Sequence, residues 1–371
     1  MSLKTLIYKL IENTEGLSFA DYMQLALYSP EYGYYSSGLA KFGPDGDFVT
    51  APEISPLYGH TLANQCQQIL QSLSDPILFE FGAGSGKLCV QLLQQLEASN
   101  SLPQKYLILE VSGELRRRQQ TLIHAALPHL FDRVIWLDAW PTQAFNGVVI
   151  ANEVMDAMPV HRFKLMEDAV YESYVGVDDA GNLLETYRLC SNPKLLQYVK
   201  RVLPNDLTTP YQSEANLFLE PWLQQCFAML AKGAMFLIDY GFPRHEYYHP
   251  DRCQGTLMCH YHHRAHTNPF AHPGEEDITA HVDFTQVAEA AASAGFHVAG
   301  YCNQASFLLA NGLLTLLVQM ISEPQRLLEQ QKVKQLLHEH EMGELFKVIG
   351  LTKNLDIDLF GFQLQDKRAS L

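Results

Sequence analysis

Leu3, Leu6, Ile7, Leu10 and Ile11 fall at helical spacing in "MSLKTLIYKLIENTEG", with Lys4, Lys9 and Glu12 between them. That pattern predicts a short amphipathic helix at the start of the chain. A second helix is expected from near Ser18, in "SFADYMQLALYSP". From Tyr28 to about Pro56 the period is lost, and Tyr, Gly and Pro punctuate a passage that still carries Phe48, Thr50 and Glu53. A long irregular stretch of this kind reads as a working loop or lid. Beyond it, short apolar runs alternate with helical periods. "PILFEFG", "KYLILEV", "RVIWLD", "GVVIAN" and "AMFLIDYG" predict five strands, with helices over 87–97, 114–126 and about 214–230. "DFTQVAEAAASAGF" predicts a helix feeding a strand at "HVAGYC", and helical sequence over 307–346 precedes closing strand candidates at "FKVIGL" and "LFGFQL". Strand–helix alternation of this length argues for an α/β fold with a mostly parallel sheet.

The same pattern divides the chain into an N-terminal helical and lid segment, 1–75, and a main domain, 76–371. Two stretches interrupt the main domain, at about 160–212 and 242–282. Insertions after parallel strands emerge at the carboxyl edge of the sheet, where α/β proteins bind ligands.

Composition narrows the class of partner. The net charge of −15 over 371 residues argues against nucleic acid, which needs clustered Lys and Arg, and suits a cationic ligand or basic protein segment. Seven cysteines without a C-x-x-C pair are expected to be reduced thiols in a cytosol-like compartment. No run approaches the roughly 18 apolar residues of a membrane span, and the opening helix lacks a signal-peptide core. The expectation is a cytoplasmic protein without a membrane partner.

The cofactor class turns on "LFEFGAGSGKL". Gly82, Gly84 and Gly86 lie between a predicted strand and a predicted helix, where glycine lets the backbone turn tightly and approach a ligand. A dinucleotide fingerprint, G-x-G-x-x-G, would place its third glycine where Lys87 stands. The pattern present is acidic-x-G-x-G-x-G with Glu80 ahead of it, the form used by S-adenosylmethionine-dependent methyltransferases. Three further strand ends are polar. Glu110 can accept both ribose hydroxyl protons, Asp138 is placed to reach an adenine amino group, and Asn152-Glu153 close the fourth strand.

These blocks, with "GDFVTAPEISPLYG", "ANEVMDAMPVHRF", "LIDYG" and "GTLMCHYHHRAHTNPFAHPGEEDITAHVDF", resemble the MidA family of methyltransferases over nearly the whole chain. The family includes a mitochondrial arginine methyltransferase that assists assembly of respiratory complex I. The resemblance implies a Rossmann-like class I methyltransferase fold, a mostly parallel seven-stranded sheet with an N-terminal extension and insertions after strands 4 and 5. It implies S-adenosyl-L-methionine as cofactor and a protein substrate, with a respiratory complex subunit and a homodimer as further expectations. Carried over by position, Gly82, Gly84 and Gly86 would face the methionine end, Glu110 the ribose and Asp138 the adenine. Thr50, Pro52 and Glu53 would close over the cofactor. Tyr58 stands where many members carry phenylalanine, which preserves the aromatic plane.

Glu153 and Asp156 are the candidates for gripping a methyl acceptor. A guanidinium presents a planar fork that paired carboxylates hold bidentately. Acidic residues also favour a helix N-terminus for dipole reasons alone, and that reading stays beside the first. The histidine-rich stretch, His260 to His281, lacks the spacing of a metal set and contains Pro269, Pro273 and Gly274, so it is expected to be a loop without a metal. His281 could orient a carboxylate or substrate, or only pack the loop. An arginine acceptor, a small-molecule acceptor and a non-catalytic assembly factor that binds the cofactor all remain open at this stage.

Overall fold

The computed structural model describes residues 2–13, 16–36, 50–167, 169–204, 207–320, 322–339 and 341–371. Phe48 and the start of "GDFVTAPEIS" lie outside them. The central sheet is built from β1 (Ile77–Phe81), β2 (Lys105–Leu109), β3 (Val134–Leu137), β4 (Phe145–Asn152), β5 (Leu230–Phe242), β6 (His297–Asn303) and β7 (Phe346–Lys353). Their order is β6-β7-β5-β4-β1-β2-β3, with the two-residue strand Val282–Asp283 paired beside the end of β5. The pairs from β5 through β3 are parallel, whereas β7 runs antiparallel between β5 and β6. The strand order reverses at the β1–β4 neighbours, so a crevice opens at their carboxyl ends.

Side chains alternate across each strand and fill two cores. Leu78, Val148, Ile150, Phe236, Ile238 and Val348 face a layer that includes the helices Pro56–Leu70 and Lys87–Ala98. Phe79, Val149, Met235, Leu237, Ile349 and Leu351 face the helices Leu219–Met229 and Phe284–Ala294. Both faces are covered, as a parallel sheet requires. The helix Pro56–Leu70 thus belongs to the sheet's core although it lies before residue 75.

The two insertions are β structures packed on the N-terminal helices. The first forms antiparallel strands His161–Met166, Ala169–Val177, Leu183–Leu189 and Tyr211–Ala215, joined by Leu17–Ser18. The second forms Met258–Tyr261, Arg264–His266 and Asp277–Thr279, so much of the expected loop is sheet. Ile7, Phe19, Met23 and Leu27 share a core with Val160 and Val175 of the first insertion and Leu257, Cys259 and Ile278 of the second.

Three sequence expectations are corrected. The helix expected over 214–230 begins only at Leu219, because Glu214 belongs to the Tyr211–Ala215 strand, fully buried and bonded to the Thr256 amide at 2.8 Å. The helical stretch over 307–346 is four helices, broken first at Gly312, whose φ is +86°. "LFGFQL" is not a strand. The edge it would have extended is already filled, since β7 lies between two neighbours. The segment turns instead at Phe360–Phe362, and the Phe362 ring occupies the space above Gly300 and Gly350, where any Cβ would collide with it.

Candidate active site

A cavity of about 560 Å³ opens at the carboxyl ends of β1, β2, β4 and β5, within the range of small-molecule sites. One half is formed by the glycine turn and the end of β2. Gly82, Gly84 and Gly86 have φ of +56°, +53° and +87°, the left-handed region where only glycine is unstrained. Gly82 and Gly84 line the cavity, and a Cβ on Gly82 would meet only Val154 Cγ2, at 3.8 Å, so the space above it is a cradle that a side chain would fill. Gly86 has another task. It does not line the cavity, and a Cβ there would press on Gln119 Cα at 3.2 Å, so it permits close packing of two helices.

Glu110, one residue past β2, is buried and held at both oxygens: Oε1 accepts from the Ser112 amide and Oε2 from Gln119 Nε2, each at 2.9 Å. Each carboxylate oxygen can accept a second donor, which suits a ribose diol. Gln119 also donates to the Gly84 carbonyl at 2.9 Å and accepts from Trp136 Nε1 at 2.9 Å, so one side chain ties the glycine turn to Glu110. The helical period around it gave no sign of that role. Glu80 lines the cavity from β1; burial pushes its carboxyl up to about 7, opposed by the Tyr106 hydroxyl that donates to it at 2.6 Å.

Thr50 and Pro52 line the cavity above this turn. Glu53 does not. Its two oxygens accept from Ser85 Oγ and Lys87 Nζ, so it clamps the outer side of the glycine turn and stands away from the catalytic groups it was expected to join. Asp138 is likewise not brought to the cavity. Its side chain is 87% exposed and paired with Arg116 on the solvent side of β3, the outermost strand.

The other half of the cavity is carboxylate and tyrosine. Glu153 has φ +53°, a left-handed conformation uncommon outside glycine, and its amide bonds to the Ile238 carbonyl at 2.9 Å. The chain therefore turns sharply past β4 and presents Glu153 to the cavity. Asn152 Nδ2 donates to Glu153 Oε1 at 3.1 Å, and Asn152 Oδ1 accepts from the Tyr58 hydroxyl at 2.5 Å. The tyrosine at position 58 thus contributes a hydrogen bond that phenylalanine could not. Asp156 Oδ2 accepts from Tyr240 at 2.7 Å, while Asp156 Oδ1 is buried and has no hydrogen-bond partner among the described residues. Burial, then the neighbouring Asp156, pushes the Glu153 carboxyl up to about 8; burial also raises Asp156, to about 6, against the Tyr240 hydrogen bond.

Residues from outside the strand ends complete this half. Asp277, from the second insertion, accepts from the Tyr35 hydroxyl at 2.9 Å, and Tyr28 and Tyr35 line the wall with their rings stacked 5.5 Å apart. Asp239, on β5, lies fully buried behind Asp156. Asp239, Tyr240 and Asp277 were all in view within "LIDYG" and "DITAHVDF" but carried no local signal of where they would meet. Glu80, Glu110, Glu153, Asp156 and Asp277 line the cavity, and no Lys or Arg does so among the described residues.

The histidines separate into different tasks. His281 lines the cavity with its ring between Tyr240 and Phe242, at 5.0 and 5.2 Å, and burial lowers it to about 4, so it is neutral near pH 7. His272 stacks on Tyr261 at 3.9 Å, and His266 Nε2 lies 3.0 Å from Glu276. Among the described residues no three His, Cys, Asp or Glu side chains form a group able to hold a metal ion.

Strand order 6-7-5-4-1-2-3, a glycine turn after β1 and a ribose-type carboxylate after β2 define a class I methyltransferase. Residues 61–302 match the family model described as "Putative S-adenosyl-L-methionine-dependent methyltransferase". The chain belongs to that family, the MidA family of S-adenosylmethionine-dependent methyltransferases. A Burkholderia thailandensis protein solved with bound S-adenosyl-homocysteine is 42% identical, with a TM-score of 0.94, over 100% of this chain and 96% of that one. The mitochondrial protein arginine methyltransferase NDUFAF7 of Homo sapiens is 26% identical over 94% of this chain and 82% of its own length. The Drosophila melanogaster homologue of that enzyme is 28% identical over 80% of this chain and 72% of its own. The cofactor of the chain is S-adenosylmethionine.

Proposed function

We propose that the chain methylates an arginine guanidinium on a protein substrate. The observation that carries this reading is the cavity half lined by Glu153, Asp156 and Asp277, three carboxyl groups with no Lys or Arg lining it among the described residues. A guanidinium entering there would give these buried carboxyls charge-assisted partners. The relatives named as protein arginine methyltransferases support the same acceptor.

In this reading Gly82, Gly84, Glu80, Glu110, Thr50, Pro52 and Asn152 hold the cofactor, which when bound supplies a methyl group already activated on sulfonium. The protein contributes alignment and exclusion of water, and positioned reactants gain ~7–11 kcal/mol over free encounter. Glu153 and Asp156 receive the acceptor's N–H groups and offset its desolvation through charge-assisted bonds. The nitrogen that gains the methyl group releases one proton, which the Asp156 carboxylate takes. His281 is neutral and packed, so it orients the wall beside Tyr240.

The test adds the protein and methyl-labelled S-adenosylmethionine to an extract of a strain lacking it. A labelled protein band whose digest contains methylarginine supports the proposal. Label in small molecules alone identifies a small-molecule acceptor, and cofactor binding without any transfer identifies an assembly factor; either result overturns it.

A further inference from the structure

We infer that Asp239 is a positioning residue for methyl transfer: from the end of β5 it holds the Glu153–Asp156 turn so that Asp156 faces the acceptor. The inference rests on the acceptor site proposed above.

Asp239 is fully buried, does not line the cavity and has no Lys, Arg or His at ion-pair distance among the described residues. Taking a carboxylate out of water without a cation costs several kcal/mol. Asp156 and Glu153 lie near it, and Lys347, opposite on β7, bonds to the Glu344 carbonyl, so no cation offsets its burial among the described residues. What the carboxylate provides is three backbone hydrogen bonds. Oδ2 accepts from the amides of Met155 at 2.9 Å and Asp156 at 3.2 Å, and Oδ1 from the amide of Tyr240 at 3.0 Å.

The next residue completes the arrangement, since the Tyr240 hydroxyl bonds Asp156 Oδ2. Two consecutive residues of β5 therefore hold Asp156 from both ends, one through its backbone and one through its carboxylate. The bonds fix the left-handed turn at Glu153 that precedes it. Asparagine at 239 would keep the shape but offer one acceptor oxygen, and its amide hydrogens would face one set of the N–H donors.

The test uses the full chain carrying Asp239→Asn. Expected are S-adenosylhomocysteine affinity within about threefold of wild type by calorimetry, faster hydrogen exchange over 153–158, and arginine labelling of the extract proteins slowed about 100-fold in kcat, the scale of a small misplacement. The loss should fall on kcat with KM for the acceptor little changed, a split that a merely structural role would not produce. Tyr240→Phe, which deletes only the hydroxyl, is the second variant should Asp239→Asn fail to fold. It should slow labelling about tenfold, with cofactor-product affinity retained. Unchanged exchange over 153–158, wild-type labelling in a folded variant, or equal loss of affinity and labelling overturns the inference. If the wild type labels no arginine, the proposed acceptor fails, while the exchange measurement still decides the role of Asp239.

Discussion

The Tyr240 hydroxyl donates to Asp156 Oδ2 at 2.7 Å, and the other oxygen of that carboxylate is buried without a partner among the described residues. The tyrosine thus fixes the orientation of a carboxyl group that lines the cavity. The same turn carries Glu153, so two acids from one short segment meet whatever enters.

Asp156→Asn and Glu153→Gln keep side-chain shape and remove the capacity to ionise beside a bound cation. Both should lower kcat/KM for the acceptor by about 10- to 100-fold, the worth of one or two charge-assisted bonds. Product affinity should stay within about threefold, since neither residue holds the cofactor in the proposed division of the site. Parallel calorimetry and labelling assays check this; loss of cofactor binding in both variants would put these acids in the cofactor pocket.

Gly84 and Gly86 should respond differently although both have positive φ. Gly84→Val strains the turn and fills the cofactor's space, and calorimetry should detect no binding to the folded protein. Gly86→Ala presses on Gln119, outside the cavity, so its main effect should be a lower melting temperature, by a few degrees for a loss of about 1 kcal/mol. Unchanged affinity in Gly84→Val would overturn the first expectation, and an unaltered melting temperature the second.

Glu153 links stability to pH in a predictable direction. Burial pushes its folded carboxyl up to about 8 from the ordinary glutamate value of 4.5, so the folded chain keeps a proton that the unfolded chain gives up. That contribution to stability is complete below about pH 4.5 and is lost as pH rises through about 8. Glutamine mimics the protonated form at every pH. Without cofactor, Glu153→Gln should therefore melt roughly 2 °C or more above wild type at pH 8.5 and level with it at pH 4. Equal differences at both pH values would mean that the acid is not buried as described.

Chelation should leave the protein unaffected. His266 lies 3.0 Å from Glu276 and beside His272, which stacks on Tyr261, while His281 packs between Tyr240 and Phe242 in the cavity wall. Elemental analysis of untagged protein should find no stoichiometric zinc, and a chelator should not shift melting. One tightly held zinc per chain would contradict this.

What the sequence determined by itself was local. Strand–helix alternation and the Gly82–Gly86 turn could be read because periodicity and positive φ depend on residues close along the chain. Glu110 and Asn152 could be placed at strand ends for the same reason. Tertiary structure decided what those ends face. Asp138 looked equivalent to Glu110, but β3 is the outer strand, so its end opens to solvent and Arg116, whereas β2 adjoins the crevice. Glu53 lay in the right loop, yet Lys87 and Ser85 drew its carboxylate to the outer side of the glycine turn. Asp239 and Asp277 come from β5 and the second insertion, about 85 and 120 residues beyond Asp156. They reach its neighbourhood only because β5 pairs with β4 and the insertion folds back on the N-terminal helices. A periodic pattern records which face of an element is buried; which carboxylates share that buried space depends on long-range pairing, and the weakened acidity of the carboxyls in this site exists only after that pairing has formed.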